Sequence, residues 1–443
     1  MKQYPSPSLS NSYFMPFTAN RQFRHTPRLL HKAKGMYYED IHGRKIIDGT
    51  AGLWCCNAGH SRKEISVAVE TQLNDLDFAL SFQVSHPLAF SLADSLVKLT
   101  PEPLKHVFYT NSGSESVDTA LKLTRAYWQA KGMGTKTMFV GREKGYHGVG
   151  FGGISVGGLV NNRSTFTPLL PSVDHLPHTH IPENKFSKGM GKHRGLELAD
   201  ELLKVINLHG AHNIGAVIVE PIAGSAGVIV PPVGYLERLR EITKNHGILL
   251  IFDEVITGFG RVGKPFASNR FSVVPDIITT AKGLTNGVIP MGAVFFSREI
   301  FDTLSTRAET IFEFFHGYTY SGHPVACAAA QASLEIYQHE NLFEKAIDLE
   351  DHFASKLHDL NKHSCVTDVR TIGLMGAVDF SPLPSSKNSR AYQIFENAFW
   401  NGTLTRCTGD TIALSPPLIA SKDDITKIIE GLSEAITEVS KVS

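Results

Sequence analysis

The spacing of apolar and polar positions changes rhythm along the chain. Residues 1–35 hold no sustained period and are expected to be irregular. Glu39-Asp-Ile-His-Gly-Arg-Lys-Ile-Ile-Asp48 places apolar residues on both sides of a His-Gly turn, which predicts a hairpin. From about residue 60, helical periods alternate with short, continuous apolar runs. Val107–Thr110 reads as a strand, and Ser114–Lys131 carries apolar residues at helical spacing. Further on, Ala216–Val219, Ile248–Phe252, Asp276–Thr279 and Gly292–Phe296 are strand-length apolar runs, and Tyr235–His246 is a helical stretch with charges on one face. Apolar strands of this kind, separated by helices, predict a mostly parallel sheet covered on both faces.

The pattern changes after Pro324. Val325–Tyr337 is an alanine-rich helical stretch, followed by mixed helices, a strand at Ala377–Phe380 and a terminal helix near Asp423–Val439. The expected organisation is an N-terminal segment (1–56) and a C-terminal part (325–443) forming a smaller α+β domain, around a large domain (57–324). Residues 161–194 are polar and rich in Pro, Gly and His, which predicts a long surface excursion. No internal repeat is visible.

Bulk properties narrow the class. A chain of 443 residues, 42 % of them apolar, is long enough for two or three domains with a large core. Lys plus Arg and Asp plus Glu are 43 each, so nothing in the charge points to nucleic acid or to an anionic membrane. Five cysteines are an odd count for a disulfide framework, and a reduced, cytoplasmic setting is expected. Met1–Leu30 does not read as a signal peptide, and runs such as Gly247–Phe252 are too short to span a bilayer.

Three segments could carry chemistry. Asn111-Ser-Gly-Ser-Glu115 lies between a strand and a helix, where free backbone N–H groups and a hydroxyl suit a phosphate. It also fits an ordinary helix cap by Ser112 or Ser114. Asp253 ends an apolar strand, at the sheet edge where ligands bind in parallel sheets. It could hold a protonated ring nitrogen or a metal, or bond nearby backbone as a structural acid. Lys282 follows another apolar strand and precedes Gly283. Desolvated there, it would be a nucleophile toward an aldehyde; exposed, an ordinary surface lysine.

Together the three match the needs of pyridoxal 5'-phosphate: a phosphate cradle, an acid for the ring nitrogen and an amine for the aldehyde. The chain also resembles the class III aminotransferases of pyridoxal-phosphate fold type I, the aspartate aminotransferase-like fold. Matching stretches run in family order: Asp48-Gly-Thr-Ala-Gly-Leu-Trp54, Asn111–Glu115, Gly145-Tyr-His-Gly148, Val219-Glu-Pro221, Phe252-Asp-Glu-Val-Ile-Thr-Gly-Phe-Gly-Arg261, Thr280-Ala-Lys-Gly283 and Thr319-Tyr-Ser-Gly-His-Pro324. The resemblance implies that Lys282 is the catalytic lysine and carries the cofactor, and that Asp253 pairs with the ring nitrogen. It implies that Gly113 and Ser114 bind the phosphate, that Tyr146 and Val255 cover the two ring faces, and that Glu220 supports the ring's surroundings. Thr319 is expected to reach the phosphate of a neighbouring subunit, which implies a homodimer with shared active sites and leaves a tetramer open.

Within the family, Met15-Pro-Phe-Thr18, Gly52-Leu-Trp54, Arg142–His147, Val228–Tyr235, Leu404-Thr-Arg406, Gly409-Asp410 and Pro416-Pro417 resemble the omega-amino acid–pyruvate (beta-alanine–pyruvate) branch. That implies Arg406 as the reader of the substrate carboxylate, with Trp54 and Phe17 walling the pocket. The small-molecule partners are then an amine donor and a keto-acid acceptor. Bland roles compete: Trp54 as core, Arg406 in a surface ion pair, His147 as structural. His175, His178 and His180 lack a second ligand cluster at metal spacing, so no metal is expected. An amino-group isomerase or racemase on the same scaffold is the alternative. A cofactor-binding regulator lacks a DNA-binding module, and a nicotinamide enzyme lacks an early G-x-G-x-x-G. Beta-alanine, taurine, putrescine-like amines, gamma-aminobutyrate and aryl-alkyl amines all stay open as donors. Cys55-Cys56 has no evident chemical meaning.

Overall fold

The computed structural model describes residues 9–307, 311–383 and 389–442. Its strands are β1 Leu30–Lys34, β2 Tyr37–Asp40, β3 Lys45–Asp48, β4 Leu104–Thr110, β5 Met138–Arg142, β6 Val173–Leu176, β7 Ile214–Val219, β8 Leu249–Asp253, β9 Ile277–Thr280, β10 Gly292–Ser297, β11 Val366–Ile372, β12 Met375–Phe380, β13 Thr403–Leu404, β14 Arg406–Thr408 and β15 Thr411–Leu414. A seven-stranded sheet in the order β4-β10-β9-β8-β7-β5-β6 forms the centre. Every residue of β7, β8, β9 and β10 is buried, as continuous apolar runs require when both sheet faces are covered. The pairings from β6 through β9 are parallel, and only β10 runs against its neighbours.

The faces are covered as the periods predict. The helix Gly113–Ala130 buries Val117, Ala120, Leu121 and Leu123 against Ile218, Ile251 and Val294. The opposite face meets Tyr235, Leu236 and Leu239 of the helix Tyr235–Asn245. Each fully buried Leu or Ile contributes on the order of 1.5–3 kcal/mol, so these two layers dominate the stability of the sheet.

Register decides what this sheet presents. Because β10 is antiparallel to both β4 and β9, those two strands point the same way. Their carboxyl ends meet across its first residues, Thr110 opposite Gly292 and Thr280 opposite Ala293. Asp253 pairs with Thr279, and Phe252 with Val219, so Glu220 leaves β7 at the same edge. One edge therefore collects the loops after β4, β5, β7, β8 and β9.

Two four-stranded sheets lie outside this one, β1-β2-β3-β13 and β11-β12-β15-β14. β13 runs parallel to β3, with Thr403 opposite Ile47 and Leu404 opposite Asp48, so segments from the two ends of the chain share a sheet. The chain crosses to the other sheet at Thr405 and enters β14 with Arg406.

Two expectations need correction. The first 35 residues are not irregular throughout: Asn20–His25 is a helix with Phe23 buried, and Leu30–Lys34 is β1; residues 1–8 lie outside those described. The 161–194 stretch is not only a surface excursion, since it supplies β6, the edge strand of the main sheet, with Leu176 and Ile181 buried. An edge strand needs few apolar residues, so Val173-Asp-His-Leu176 carries little period. Among the described residues no helix is long and apolar enough to cross a membrane.

Arg261 ties the large sheet's loops to the C-terminal segment. It is fully buried, donating from Nη1 to the carbonyls of Ser415 (3.1 Å) and Pro416 (2.6 Å), and from Nη2 to Asn57 Oδ1 (2.5 Å). Arg261→Ala leaves these acceptors unsatisfied around a void, at about 1–3 kcal/mol for each such group. Urea titration should give the variant an unfolding free energy about 3 kcal/mol or more below the parent's, and so a lower midpoint, with Arg261→Lys recovering only part. An unchanged midpoint would show that the link contributes nothing.

Candidate active site

The helix Gly113–Ala130 opens with a reciprocal cap. Ser112, extended at φ −160°, accepts from the Glu115 N–H through Oγ (3.2 Å), and Glu115 Oε2 accepts from the Asn111 N–H (2.7 Å). This leaves the N–H groups of Gly113 and Ser114 without partners among the described residues, at the positive end of a long helix. Capping and anion binding are thus compatible: Ser112 caps, and the next two residues stay free. Ser114 Oγ accepts from the Val149 N–H (3.1 Å), which keeps its own proton available. Gly113 has to be small, because a Cβ there would lie 2.9 Å from Val255 Cγ1. So does Gly148, with φ +89° and a hypothetical Cβ 2.6 Å from Ser114 Cα.

At the end of β8 the paired acids divide their work. Glu254 is fully buried and accepts from the Ser268 N–H (2.9 Å), the Thr257 hydroxyl (2.9 Å) and the Ala267 N–H, fixing the turn after the strand. Asp253 points into the site. Its Oδ1 accepts from the Val255 N–H (3.1 Å), and its Oδ2 lies 2.8 Å from His147 Nδ1. His147 is buried, so it serves as the orienting group for this carboxylate, a role closer to the site than the structural one expected.

Glu220 is 4 % exposed. Its Oε1 accepts from the Tyr146 N–H (2.8 Å) and its Oε2 from the Gly224 N–H (3.1 Å), so it fixes the backbone that carries Tyr146. Burial pushes its carboxyl up to about 7, against the opposing pull of His147. Arg142 Nη2 donates to the Glu220 carbonyl (2.7 Å) from beneath.

Lys282 takes φ +48°, and its amine has no hydrogen-bond partner among the described residues. Burial pushes its ammonium down to about 8; Asp253 and Cys55 pull the other way, and Arg406 adds to the lowering. A solvated surface lysine would show none of this.

These groups converge on one cavity. Gly113, Ser114, Tyr146, Glu220, Asp253, Val255 and Lys282 all line it. Gly148, Ile256 and Ala281 line it too and were not singled out from sequence. All three lay within quoted stretches, Gly145–Gly148, Phe252–Arg261 and Thr280–Gly283, but none carried a chemical signal of its own.

The other expected residues sit elsewhere. Thr319 is exposed, outside the cavity lining, with its carbonyl accepting from Ser81 Oγ (3.1 Å). Phe17 is 80 % exposed. Trp54 is 2 % exposed at φ +64°, packed in a cluster with Ile222, Val228 and Ile256, and its buried indole N–H has no partner among the described residues. Arg406 is half-buried without an ion-pair or hydrogen-bond partner among the described residues. Burial pushes its guanidinium down, opposed by Tyr146. The three histidines do not converge. His175 Nε2 meets the Gly157 carbonyl (2.9 Å), while His180 meets Asp368 (3.1 Å) beside Asp379. Arg370 balances that last pair, donating to Asp368 Oδ2 (2.6 Å) and Asp379 Oδ2 (2.8 Å).

The cavity fits pyridoxal 5'-phosphate on its own features: two unpartnered N–H groups at a helix start, a buried carboxylate oriented by a histidine, and a desolvated amine without a partner. Comparison with known proteins agrees. A family model described as aminotransferase class-III matches residues 18–436. The chain is 53 % identical to the omega-aminotransferase of Caulobacter vibrioides, over 97 % of this chain and 98 % of that one. It is 48 % identical to the beta-alanine–pyruvate aminotransferase of Pseudomonas aeruginosa, over 97 % and 96 %. The crystal structure of the omega transaminase from Pseudomonas jessenii in complex with PMP superposes with a TM-score of 0.92 at 32 % identity, covering 97 % of each chain.

The lowered Lys282 gives a pH test. Acetylation of Lys282 in cofactor-free protein, followed by peptide mass spectrometry, should rise with pH to a half-maximal rate near 8. Asp253 stabilises the ammonium form, so Asp253→Asn should move the midpoint lower still. A midpoint at the ordinary lysine value, or an upward shift in the variant, would contradict the electrostatics described.

Proposed function

The chain belongs to the class III aminotransferases, and on that premise we propose that it moves an amino group from an omega-amino acid or amine of the beta-alanine kind to pyruvate, yielding alanine and an aldehyde or ketone. It is a pyridoxal 5'-phosphate enzyme of fold type I. The observation that carries the proposal is the pairing, in one cavity, of a desolvated, unpartnered lysine amine with a buried aspartate. Two named relatives, an omega-aminotransferase and a beta-alanine–pyruvate aminotransferase, support the substrate class.

When bound, pyridoxal 5'-phosphate supplies an aldehyde that takes up the amino group and a ring that draws off electrons as the donor carbon loses its proton. The residues' parts follow from their positions. The Gly113 and Ser114 N–H groups would hold the phosphate. The Asp253 carboxylate, oriented by His147, would hold the proton on the ring nitrogen. Tyr146 and Val255 would flank the ring, with Glu220 fixing the Tyr146 backbone. Lys282 Nζ takes the proton from the donor carbon and passes it on, as base and then acid. An amine lowered to about 8 suits both duties near neutral pH.

Arg406 is the proposed carboxylate reader. It has no competing partner, and it lies close enough to Tyr146 and Lys282 to perturb them electrostatically. It would bind pyruvate through its planar fork and turn aside for donors whose carboxylate is distant or missing. Trp54 is proposed as a pocket wall acting with Ile256, which lies in its cluster and lines the cavity. Phe17 and Thr319, both exposed and outside the lining, are proposed to act in a homodimer, where Thr319 would reach the phosphate bound by the other copy. The proposed large domain spans 57–324, with 1–56 and 325–443 joined through β3 and β13.

The isomerase alternative finds no support among these relatives, and turnover separates the two. With beta-alanine as donor, alanine should accumulate only when pyruvate is supplied. Conversion of the amine without any keto acid would favour the isomerase.

Arg406→Ala tests the substrate assignment in separate half-reactions. A charge-assisted hydrogen bond to a carboxylate is worth about 1.5–3 kcal/mol, so the pyruvate half should lose roughly ten- to hundred-fold in specificity. An amine donor without a carboxylate should lose far less. Single-turnover kinetics of each half measure this directly, and equal damage to both would make Arg406 structural.

A further inference from the structure

Cys55 and Cys56 take no part in the transfer, yet they are placed with care. They follow the kinked turn Ala51–Trp54, in which Gly52 and Trp54 both hold left-handed φ values of +63° and +64°. Their sulfurs lie 3.9 Å apart, and both residues are half-buried. Two glycines from different loops frame them. A Cβ on Gly287, in the loop after Lys282, would lie 2.8 Å from Cys55 Sγ and 3.4 Å from Cys56 Sγ. A Cβ on Gly52 would lie 3.2 Å from Cys56 Sγ and 3.6 Å from Cys55 Sγ. The backbones at both glycines thus pack directly against the two sulfurs, which only residues without a side chain allow.

Geometry separates the possible chemistries. A disulfide usually needs Cα atoms about 4.4–6.8 Å apart, whereas neighbours across a trans peptide sit at about 3.8 Å. Direct closure is therefore disfavoured, while an atom bridging the two sulfurs needs no closer approach of the backbone. We propose that Cys55 and Cys56 form a chelating site for a trivalent arsenical, a soft thiophilic ligand, beside the loop that follows Lys282. In the binding step an arsonous group R–As(OH)₂ meets two thiols. Two As–S bonds form and two As–O bonds break, and each thiol proton leaves with a hydroxide as water. Arsenic stays trivalent, so no oxidant or reductant is needed.

The surroundings favour the first attack. The contact with Cys56 and a backbone hydrogen bond at Leu53 hold the Cys55 thiol below its ordinary range, while that same contact and burial push Cys56 up. Cys55 is then the thiolate that enters first, and Cys56 closes the chelate. The remaining cysteines stand singly: Cys327 and Cys365 are buried, and Cys407 lies on β14 beside Ser389 with no other cysteine at its sulfur among the described residues.

The test uses holoenzyme and phenylarsine oxide as probe. Intact mass should show a single phenylarsenic group per chain, with two fewer of the five thiols titrating after denaturation. Peptide mapping should place it on residues 55–56. A small dithiol should remove it and an equal excess of monothiol should not. Cys55→Ser and Cys56→Ser should each raise the probe concentration for half-capture about a hundredfold, the loss expected when one arm of a two-armed ligand is removed. Cys407→Ser should leave capture unchanged. No adduct on the holoenzyme, an adduct mapped to other cysteines, or undiminished capture by both serine variants would overturn the proposal. If a serine variant does not fold, mapping on the parent protein decides alone.

Discussion

The active site depends on how closely three backbones approach at Gly292. This residue starts β10, the one strand of the main sheet that runs against its neighbours, and it sits directly opposite Thr110. A Cβ there would lie 2.4 Å from Thr110 Oγ1, 2.5 Å from Ser116 Oγ and 2.6 Å from the Ser112 carbonyl. Two of those three contacts are with side chains that are already committed. Thr110 Oγ1 and Ser116 Oγ are 2.7 Å apart, and Ser116 Oγ donates to the Thr280 carbonyl at 3.0 Å. The start of the helix that presents Gly113 and Ser114 is thereby fastened to the strand that delivers Lys282. The spacing between phosphate cradle and lysine is set by buried hydroxyls packed over a bare backbone.

That fastening lets the site keep groups that water would otherwise solvate. Lys282 and Arg406 are each driven toward neutrality by burial, and Glu220 is driven toward its protonated form. A protein interior tolerates such groups only where neighbours compensate them. Glu220 is compensated by two backbone N–H donors, and Asp253 by His147 and the Val255 N–H. Lys282 and Arg406 have charged or polar neighbours but no hydrogen-bond partner for their side chains among the described residues. These two cations are the ones whose proposed partners, an aldehyde and a carboxylate, arrive from solution. Residual desolvation cost thus marks the positions left for ligands, and ordinary hydrogen bonding marks the scaffold.

Legibility in the sequence followed the range of the interactions. The strands ending in Asp253 and Thr280 were readable because burial on both faces leaves a continuous apolar run, and a polar residue at its end marks the sheet edge. β6 was not, since Val173-Asp-His-Leu176 lies at an edge and needs few apolar contacts. Asp253 and Glu254 are identical as local signals. Only the loop that folds back to place Ala267 and Ser268 N–H groups on Glu254 decides which acid faces the cavity. His147 gave no local signal for its role, because Asp253 comes from another strand.

Arg406 is the extreme case. Nothing in Leu404-Thr-Arg406 distinguishes it from any surface arginine, and only the family resemblance singled it out. Its position depends on β13 pairing with β3, which sets Leu404 opposite Asp48, and on the chain crossing to the neighbouring sheet one residue later. Asp48 is itself fully buried, accepting from the N–H groups of Thr50 (2.9 Å) and Gly52 (2.6 Å) and contacting His60 at 2.7 Å. One buried carboxylate therefore shapes the turn that carries Trp54 and the two cysteines, while the strand beside it delivers the arginine. A change in that pairing would shift the proposed pocket wall and the proposed carboxylate reader together. Substrate choice in this scaffold is in that respect a property of the joint between the two ends of the chain, whereas the chemistry at Lys282 is a property of the central sheet.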